Sequence, residues 1–359
     1  MVFAFKDLAH YNETALACSA SIRKQNSYFL VDEVLPFQAE GTGGHVWLKI
    51  RKQSTNTEWL SRALAKLAQV PLVDIGYAGL KDRYAVTTQW FSIKTEGVAE
   101  PDWSDIENDD IKIVEQTRHT KKLKRGVLSG NQFTVRLTDV AGAKGDWQYN
   151  LEQVKSHGVP NYFAEQRFGH NGNNLLAAQR WFTEGQTPKK RQQKSLYLSA
   201  ARSWLFNLVL DQRVQQQNWD KVVAGDMMLL AGTKASLFAA EYETSELQQR
   251  LASMDIHPTG PLWGRGKVMT QGASQILEKT VLTDWQVWQM GLEKAGLKQE
   301  RRALRVYPEA FSWQFLPNQQ LELTFFLPAG CYATAVLREL AIIENSSHAN
   351  RAMSTIDKI

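Results

Sequence analysis

Residues 77–91 place a single carboxylate, Asp82, between two cations, Lys81 and Arg83, on a loop that joins two strand-like runs. Neighbouring positive charge favours the carboxylate form, so Asp82 is a candidate nucleophile. Aspartate also caps turns and helix starts, and the local chemistry leaves both readings open. Further along, Arg118, His119, Lys121, Lys122, Lys124 and Arg125 fill six of eight consecutive positions, and Lys189, Lys190, Arg191 and Lys194 form a second basic cluster. Phosphate contacts need such charge density without strict geometry. A basic run also serves as a solubilising surface, so charge alone permits a nucleic-acid partner without requiring one.

The elements that must position these residues can be read from periodicity. Val73, Ile75 and Tyr77 alternate before the Asp82 loop, and Val86 to Ile93 alternate after it, which predicts a strand on each side. Earlier, alternation predicts strands within Tyr28 to Ile50, and Thr57 is the expected N-cap of a helix whose apolar face is Leu60, Ala63, Leu64, Leu67 and Ala68. Past about residue 150 the three-and-four spacing of helices takes over, at 151–157, 174–184, 195–216 and 277–297, with few strands and with breaks at 225–238 and 260–266. Strand alternation returns at Leu321, Leu323 and Phe325. A turn at 328–330 then leads to a helix lined by Ala333, Val336, Leu337 and Leu340. The two ends share one texture, so the middle reads as an insertion into a single α+β domain.

The chain's 359 residues exceed what one core usually fills, and two domains are expected. Its 42 Lys and Arg against 37 Asp and Glu give a net charge of +5, which permits a polyanion partner. Two cysteines, Cys18 and Cys331, suit neither a disulfide framework nor a zinc site, and the seven histidines show no metal-ligand spacing. No metal is expected. No apolar run approaches a membrane span of about 20 residues, and residues 1–10 are unlike a signal peptide. A cytoplasmic protein is therefore expected.

The run Ala78-Gly79-Leu80-Lys81-Asp82-Arg83-Tyr84-Ala85-Val86-Thr87-Thr88-Gln89-Trp90 resembles the signature around the catalytic aspartate of the tRNA pseudouridine synthase D family, A-G-x-K-D-x-x-A-V-T-x-Q-W, at all nine specified positions. Three further segments resemble the same family. Gly126 to Phe133 is similar to its G-x-L-x-G-N-x-F element, in which the Asn and Phe reach the active site; this implies substrate contacts from Asn131 and Phe133. Read without the resemblance, Gly130-Asn131 is a turn signal and Phe133 a core strand residue. Val159 to Gly169 resembles V-P-N-Y-F-G-x-Q-R-F-G, with Ala164 in place of Gly and with Arg167 at the matching Arg. Phe326 to Thr334, followed by Arg338-Glu339-Leu340, resembles F-x-L-P-A-G-x-F-A-T and R-E-L, with Tyr332 in place of the pocket Phe. Near the N-terminus the family reads Lys or Arg, then P-E-D-F-x-V-x-E. Here Pro-Glu-Asp is absent, and counting back from Phe29 puts Arg23 rather than Lys24 at the basic position.

The resemblance spans nearly the whole chain. It implies a pseudouridine synthase catalytic domain with a mixed or antiparallel sheet at 1–155 and 304–359, and a mainly helical inserted domain at 156–303. It implies an isomerisation of uridine within tRNA, at position 13, with no cofactor: Asp82 acts on the ribose, Arg23 orients it, Phe133 and Tyr332 hold the detached uracil, and Asn131, Lys81 and Arg167 contact the substrate. Arg118, Lys121, Lys122, Lys124 and Arg125 would follow the RNA backbone. A monomer with no obligatory protein partner is expected. The alternative is a noncatalytic RNA-binding protein or chaperone that keeps the fold. An RNA methyltransferase is disfavoured, because no glycine-rich nucleotide loop follows a strand.

Overall fold

The computed structural model describes residues 3, 5–82, 84–233 and 235–346. Arg83 falls outside them, so its part in the Asp82 loop is not described.

Chain order begins with β1 (Ser19–Ile22), β2 (Phe29–Val34), β3 (His45–Lys52), α1 (Thr57–Leu67), β4 (Ile75–Tyr77), β5 (Val86–Lys94), β6 (Ile111–His119) and β7 (Gly130–Ala141). There follow α2 (Lys144–His157), β8 (Val159–Pro160), α3 (Asn173–Glu184), α4 (Arg191–Gln215), β9 (Asp226–Leu230), β10 (Leu237–Ala240), α5 (Ser245–Ala252), β11 (Ile256–Leu262), α6 (Gly272–Val281), α7 (Gln286–Lys294), β12 (Glu300–Ala303) and β13 (Arg305–Val306). The chain then runs through β14 (Glu309–Leu316), β15 (Gln320–Pro328), α8 (Ala333–Leu337) and β16 (Ile342–Asn345). The architecture is α+β.

Two compact units emerge. One comprises residues 16–146 and 308–330 with the described chain from 341; the other comprises 147–307 and 331–340 with the described residues of 1–15. The first is built on a ten-stranded mixed sheet in the order β14-β15-β7-β2-β5-β3-β6, with β4 on β5 and with β1 between β7 and β16. Pairing is parallel for β2 with β5 and for β1 with β16, and antiparallel elsewhere in this sheet. Leu60, Leu64, Ala65 and Ala68 of the α1 segment pack with Val46, Leu48, Ile50, Phe91 and Ile93. Truncating a fully buried leucine such as Leu64 costs about 2–5 kcal/mol, because the cavity left behind relaxes only in part.

Several local expectations are corrected. The N-cap of α1 is Asn56, whose side chain accepts from the Glu58 N–H at 2.7 Å, and Thr57 is the first helical residue. Residues 72–74 form a 3-10 turn, so the strand before the loop starts at Ile75 rather than Val73. Strand β5 is buried at every position from Val86 to Ile93, so alternation in its sequence does not mark a solvated side.

In the second unit a four-stranded sheet, β10-β9-β11-β12, replaces the breaks expected at 225–238 and at the start of 260–266. Gly260 and Pro261 lie inside β11, where short runs with Pro and Gly give a weak strand signal. The helix expected over 277–297 is two helices joined through a turn at Thr283–Trp285. The aromatic core here gathers Tyr162, Phe163, Phe168, Trp204, Phe206 and Trp288. Ala164 sits at φ −81°, so the methyl standing where the family has glycine meets no left-handed backbone. No helix among the described residues is long and apolar enough to cross a membrane.

Candidate active site

Strand register assembles the site. Across the sheet Glu33 of β2 faces Asn131 of β7, which faces Leu327 of β15; one step along, Val31 faces Phe133, which faces Phe325. On the other side Val31 faces Thr87 of β5, and Thr87 faces Lys52 of β3. Side chains two apart on a strand share a face, so Glu33, Asn131, Phe133, Thr87, Gln89 and Lys52 all project from the face that carries Ile50 and α1. Gly130 permits the close pairing beside Asn131: a Cβ there would lie 2.1 Å from the Leu327 carbonyl oxygen.

Asp82 follows β4 on the loop before β5 and is about one-third exposed. Its Oδ2 accepts from Arg23 Nη2 at 2.6 Å, and its Oδ1 accepts from the Tyr84 N–H at 3.0 Å. The second contact is the local turn bond that aspartate favours. The first is a charge-assisted bond at the short end of its range. Arg23 sits just past β1 with φ +59°, a left-handed conformation that is uncommon for a non-glycine residue, and its guanidinium lies 4.3 Å from the Phe29 ring centroid. Burial pulls the Arg23 pKa down while the Asp82 charge raises it. Lys24, the other candidate cation, is exposed and pairs with Asp139 at 2.9 Å.

Lys81 points away from the carboxylate next to it in sequence. Its ammonium lies 3.2 Å from Glu33 Oε2 and donates to Asn131 Oδ1 in a short contact. Glu33 is fully buried, and its Oε1 accepts from the Trp90 N–H at 3.2 Å. Burial pushes the Glu33 carboxyl up, while Lys81 and then the Trp90 N–H bring it back down; burial pulls Lys81 down, and Glu33 raises it. A lysine only donates, so this contact also fixes which end of the Asn131 amide faces inward.

Phe133 is a core residue at 6% exposure, stacked on Phe325 at 5.4 Å and edge-on to Phe29 at 6.2 Å. Tyr332 and Arg167 belong to the helical unit. There Tyr332 packs edge-on to Phe163 at 6.1 Å, and Arg167 lies over the Phe163 ring at 5.5 Å with its Nε donating to Ser203 Oγ at 3.3 Å. The basic run sorts by environment. Arg118 pairs with Glu100, His119 is buried and stacked on Trp47 at 4.4 Å, Lys122 donates to the Val73 carbonyl, and Arg125 donates to Tyr77 Oη at 2.6 Å. Lys121 and Lys124 are exposed with no ion pair among the described residues.

Residues that the sequence reading did not assign to the site also belong here. Lys52 is 1% exposed, donates to the Thr55 carbonyl at 2.9 Å, and is pulled to a pKa of about 8 by burial, with Asp82 raising it and Lys81 lowering it. Phe29 packs beneath Arg23, and Thr57 and Gln89 hold the Asp82 loop from below. A buried charged or polar residue carries no local sequence mark, although Gln89 stands within the signature run. Among the described residues no group of three His, Cys, Asp or Glu could hold a metal ion.

A family model for tRNA pseudouridine synthase D (TruD) matches residues 7–179 and 173–340. The tRNA pseudouridine synthase D of Nitrosococcus oceani is 46% identical over 335 residues, covering 93% of each chain, and that of Aeromonas hydrophila is 47% identical over 333 residues, covering 93% of this chain and 94% of its own. A crystal structure of a protein assigned as the tRNA pseudouridine synthase D of Methanosarcina mazei shares the fold, with a TM-score of 0.70 at 21% identity, covering 92% of this chain and 95% of that one. The mixed sheet with helical second unit is thus the fold of a pseudouridine synthase. The chain belongs to the tRNA pseudouridine synthase D family.

Proposed function

We propose that this protein is a tRNA pseudouridine synthase that isomerises uridine 13 of tRNA, with Asp82 as the reacting group. The observation that carries this reading is a carboxylate with both oxygens aimed, one by Arg23 at 2.6 Å and one by the Tyr84 N–H at 3.0 Å, in a chain of this family. In the reaction the bond from ribose C1′ to uracil N1 breaks, the base turns, C5 joins C1′, the C5 proton leaves and N1 regains one. Attack at C1′ and proton removal at C2′ both need the Asp82 carboxylate held in a fixed orientation, which the contacts of its two oxygens provide. No redox step occurs, and the chemistry calls for no cofactor.

The target base cannot react while stacked, so it is flipped out at a cost of a few kcal/mol that protein contacts offset. Asn131 is proposed to contact the flipped base, and Phe133 and Tyr332 to offer it aromatic faces, with Lys81 acting through Asn131 and Arg167 on the RNA. Phosphates would be met by Lys121, Lys124 and Arg125, with Arg118 and Lys122 behind them. The catalytic domain is proposed at 1–155 and 304–359 and the inserted domain at 156–303, in a monomer.

The test is tritium release from C5-labelled uridine in an unmodified tRNA transcript. Wild type should release tritium, and Asp82→Asn should bind tRNA without releasing it. Binding without release by the wild type would favour a noncatalytic RNA-binding protein and overturn the enzyme reading.

A further inference from the structure

The loop that carries Asp82 is gripped from below by two buried side chains. Thr57 Oγ1 lies 3.0 Å from Gln89 Oε1 and 3.2 Å from the Lys81 N–H, and Gln89 Nε2 donates to the Gly79 carbonyl at 2.9 Å. The directions are fixed by valence. Gln89 spends its N–H on a carbonyl, so its oxygen faces Thr57; the hydroxyl must donate to that oxygen and accept from Lys81. Thr57 is 1% exposed and Gln89 is fully buried, whereas Leu80 between the two pinned groups is 62% exposed. Asn56 caps α1, which leaves the Thr57 hydroxyl unneeded by the helix.

We infer that Thr57, with Gln89, is a positioning residue for Asp82: the pair fixes the backbone on both sides of Leu80 and thereby sets where the carboxylate stands. This rests on Asp82 being the reacting group. Each side-chain polar atom of the clamp has a partner, and the clamp connects the start of α1 and the centre of β5 to the residue preceding Asp82. Displacing a catalytic group by about 1 Å costs on the order of 100-fold in rate, so the contribution should appear in kcat. Binding of tRNA, which depends on phosphate contacts elsewhere, should be spared.

The experiment compares Thr57→Val, Thr57→Ser and Gln89→Glu in tritium release under single-turnover and steady-state conditions, with melting and circular dichroism as fold controls. Thr57→Val keeps the shape and loses both bonds; kcat should fall by about 10- to 100-fold with KM for tRNA nearly unchanged. Thr57→Ser keeps the hydroxyl and should recover most of kcat. Gln89→Glu turns an oxygen toward the Gly79 carbonyl and should behave like Thr57→Val. A folded Thr57→Val with wild-type kcat, or a loss shared equally by Thr57→Ser, overturns the inference. If Thr57→Val does not fold, wild-type kcat in Gln89→Glu overturns it instead. Amide exchange at Lys81 separates the two levels: faster exchange in Thr57→Val and not in Thr57→Ser supports the clamp even if the wild type releases no tritium, which would sink the reading of Asp82 alone.

Discussion

Replacing Lys81 by methionine should destabilise the sheet unit in a way that depends on pH, because it strands a buried carboxylate. Lys81 is 6% exposed and Glu33 fully buried, with 3.2 Å between Nζ and Oε2. At an effective dielectric of about 20, that separation corresponds to an attraction of about 5 kcal/mol before desolvation. Removing one partner of such a pair costs about 3–5 kcal/mol, since the remaining charge stays buried and unpaired. In Lys81→Met the opposing influence of the ammonium on Glu33 is gone, and burial raises the carboxyl further above its ordinary 4.5. The folded protein then holds a proton that the unfolded chain has released. Stability should therefore fall as pH rises above about 4.5, by at most about 1.4 kcal/mol per pH unit, until the folded pKa is passed. Adding Glu33→Gln keeps an acceptor for the Trp90 N–H and removes the charge, so the double variant should regain stability and lose the slope. Urea denaturation followed by circular dichroism at pH 5 and pH 8 reads both quantities. Equal stability of Lys81→Met at the two pH values, or no recovery on adding Glu33→Gln, would refute the reasoning.

Lys52, drawn down to about 8 from 10.5, is bound by fewer protons in the folded state than in the unfolded one between those values, so it makes stability rise with pH across that window. The wild-type stability minus that of Lys52→Met should climb from pH 8 to pH 10, and a constant difference would contradict it. Glu339 of the helical unit is fully buried, accepts from the Tyr11 N–H at 3.1 Å, and is held up to about 7 by burial against the pull of Arg338. Its sign is opposite: stability should fall between about 4.5 and 7, and Glu339→Gln should lack that decline when melting temperatures are compared across the range. Lys121 and Lys124 are exposed cations, and replacing both by alanine should weaken tRNA binding at low salt and flatten the plot of log affinity against log salt by roughly two units. An unchanged slope would remove them from the RNA path.

The resemblance to the family signature marked Asp82, and counting back from Phe29 along the family's N-terminal motif marked Arg23, because both rest on short stretches of chain. Helix periods past residue 150 were legible for the same reason, as were the strands β5, β7 and β15. What stayed hidden was set by partners far away in sequence. Strand β11 appears only once it pairs with β9 and β12, since Pro258, Gly260 and Pro261 mask its local signal. Thr57 was the expected cap of its helix; the structure gives the cap to Asn56 and frees Thr57 for the loop.

The sequence by itself determined which carboxylate, which neighbouring cations and which aromatic residues were available, because residue types and spacings are local facts. Tertiary structure alone decided how they divide. Lys81 adjoins Asp82 in the chain yet serves Glu33 and Asn131, while Arg23, 59 residues away, reaches the carboxylate. The physical reason is direction and burial: strand register places Glu33 and Asn131 opposite each other on a covered face, where a buried acid requires a cation and Lys81 supplies it.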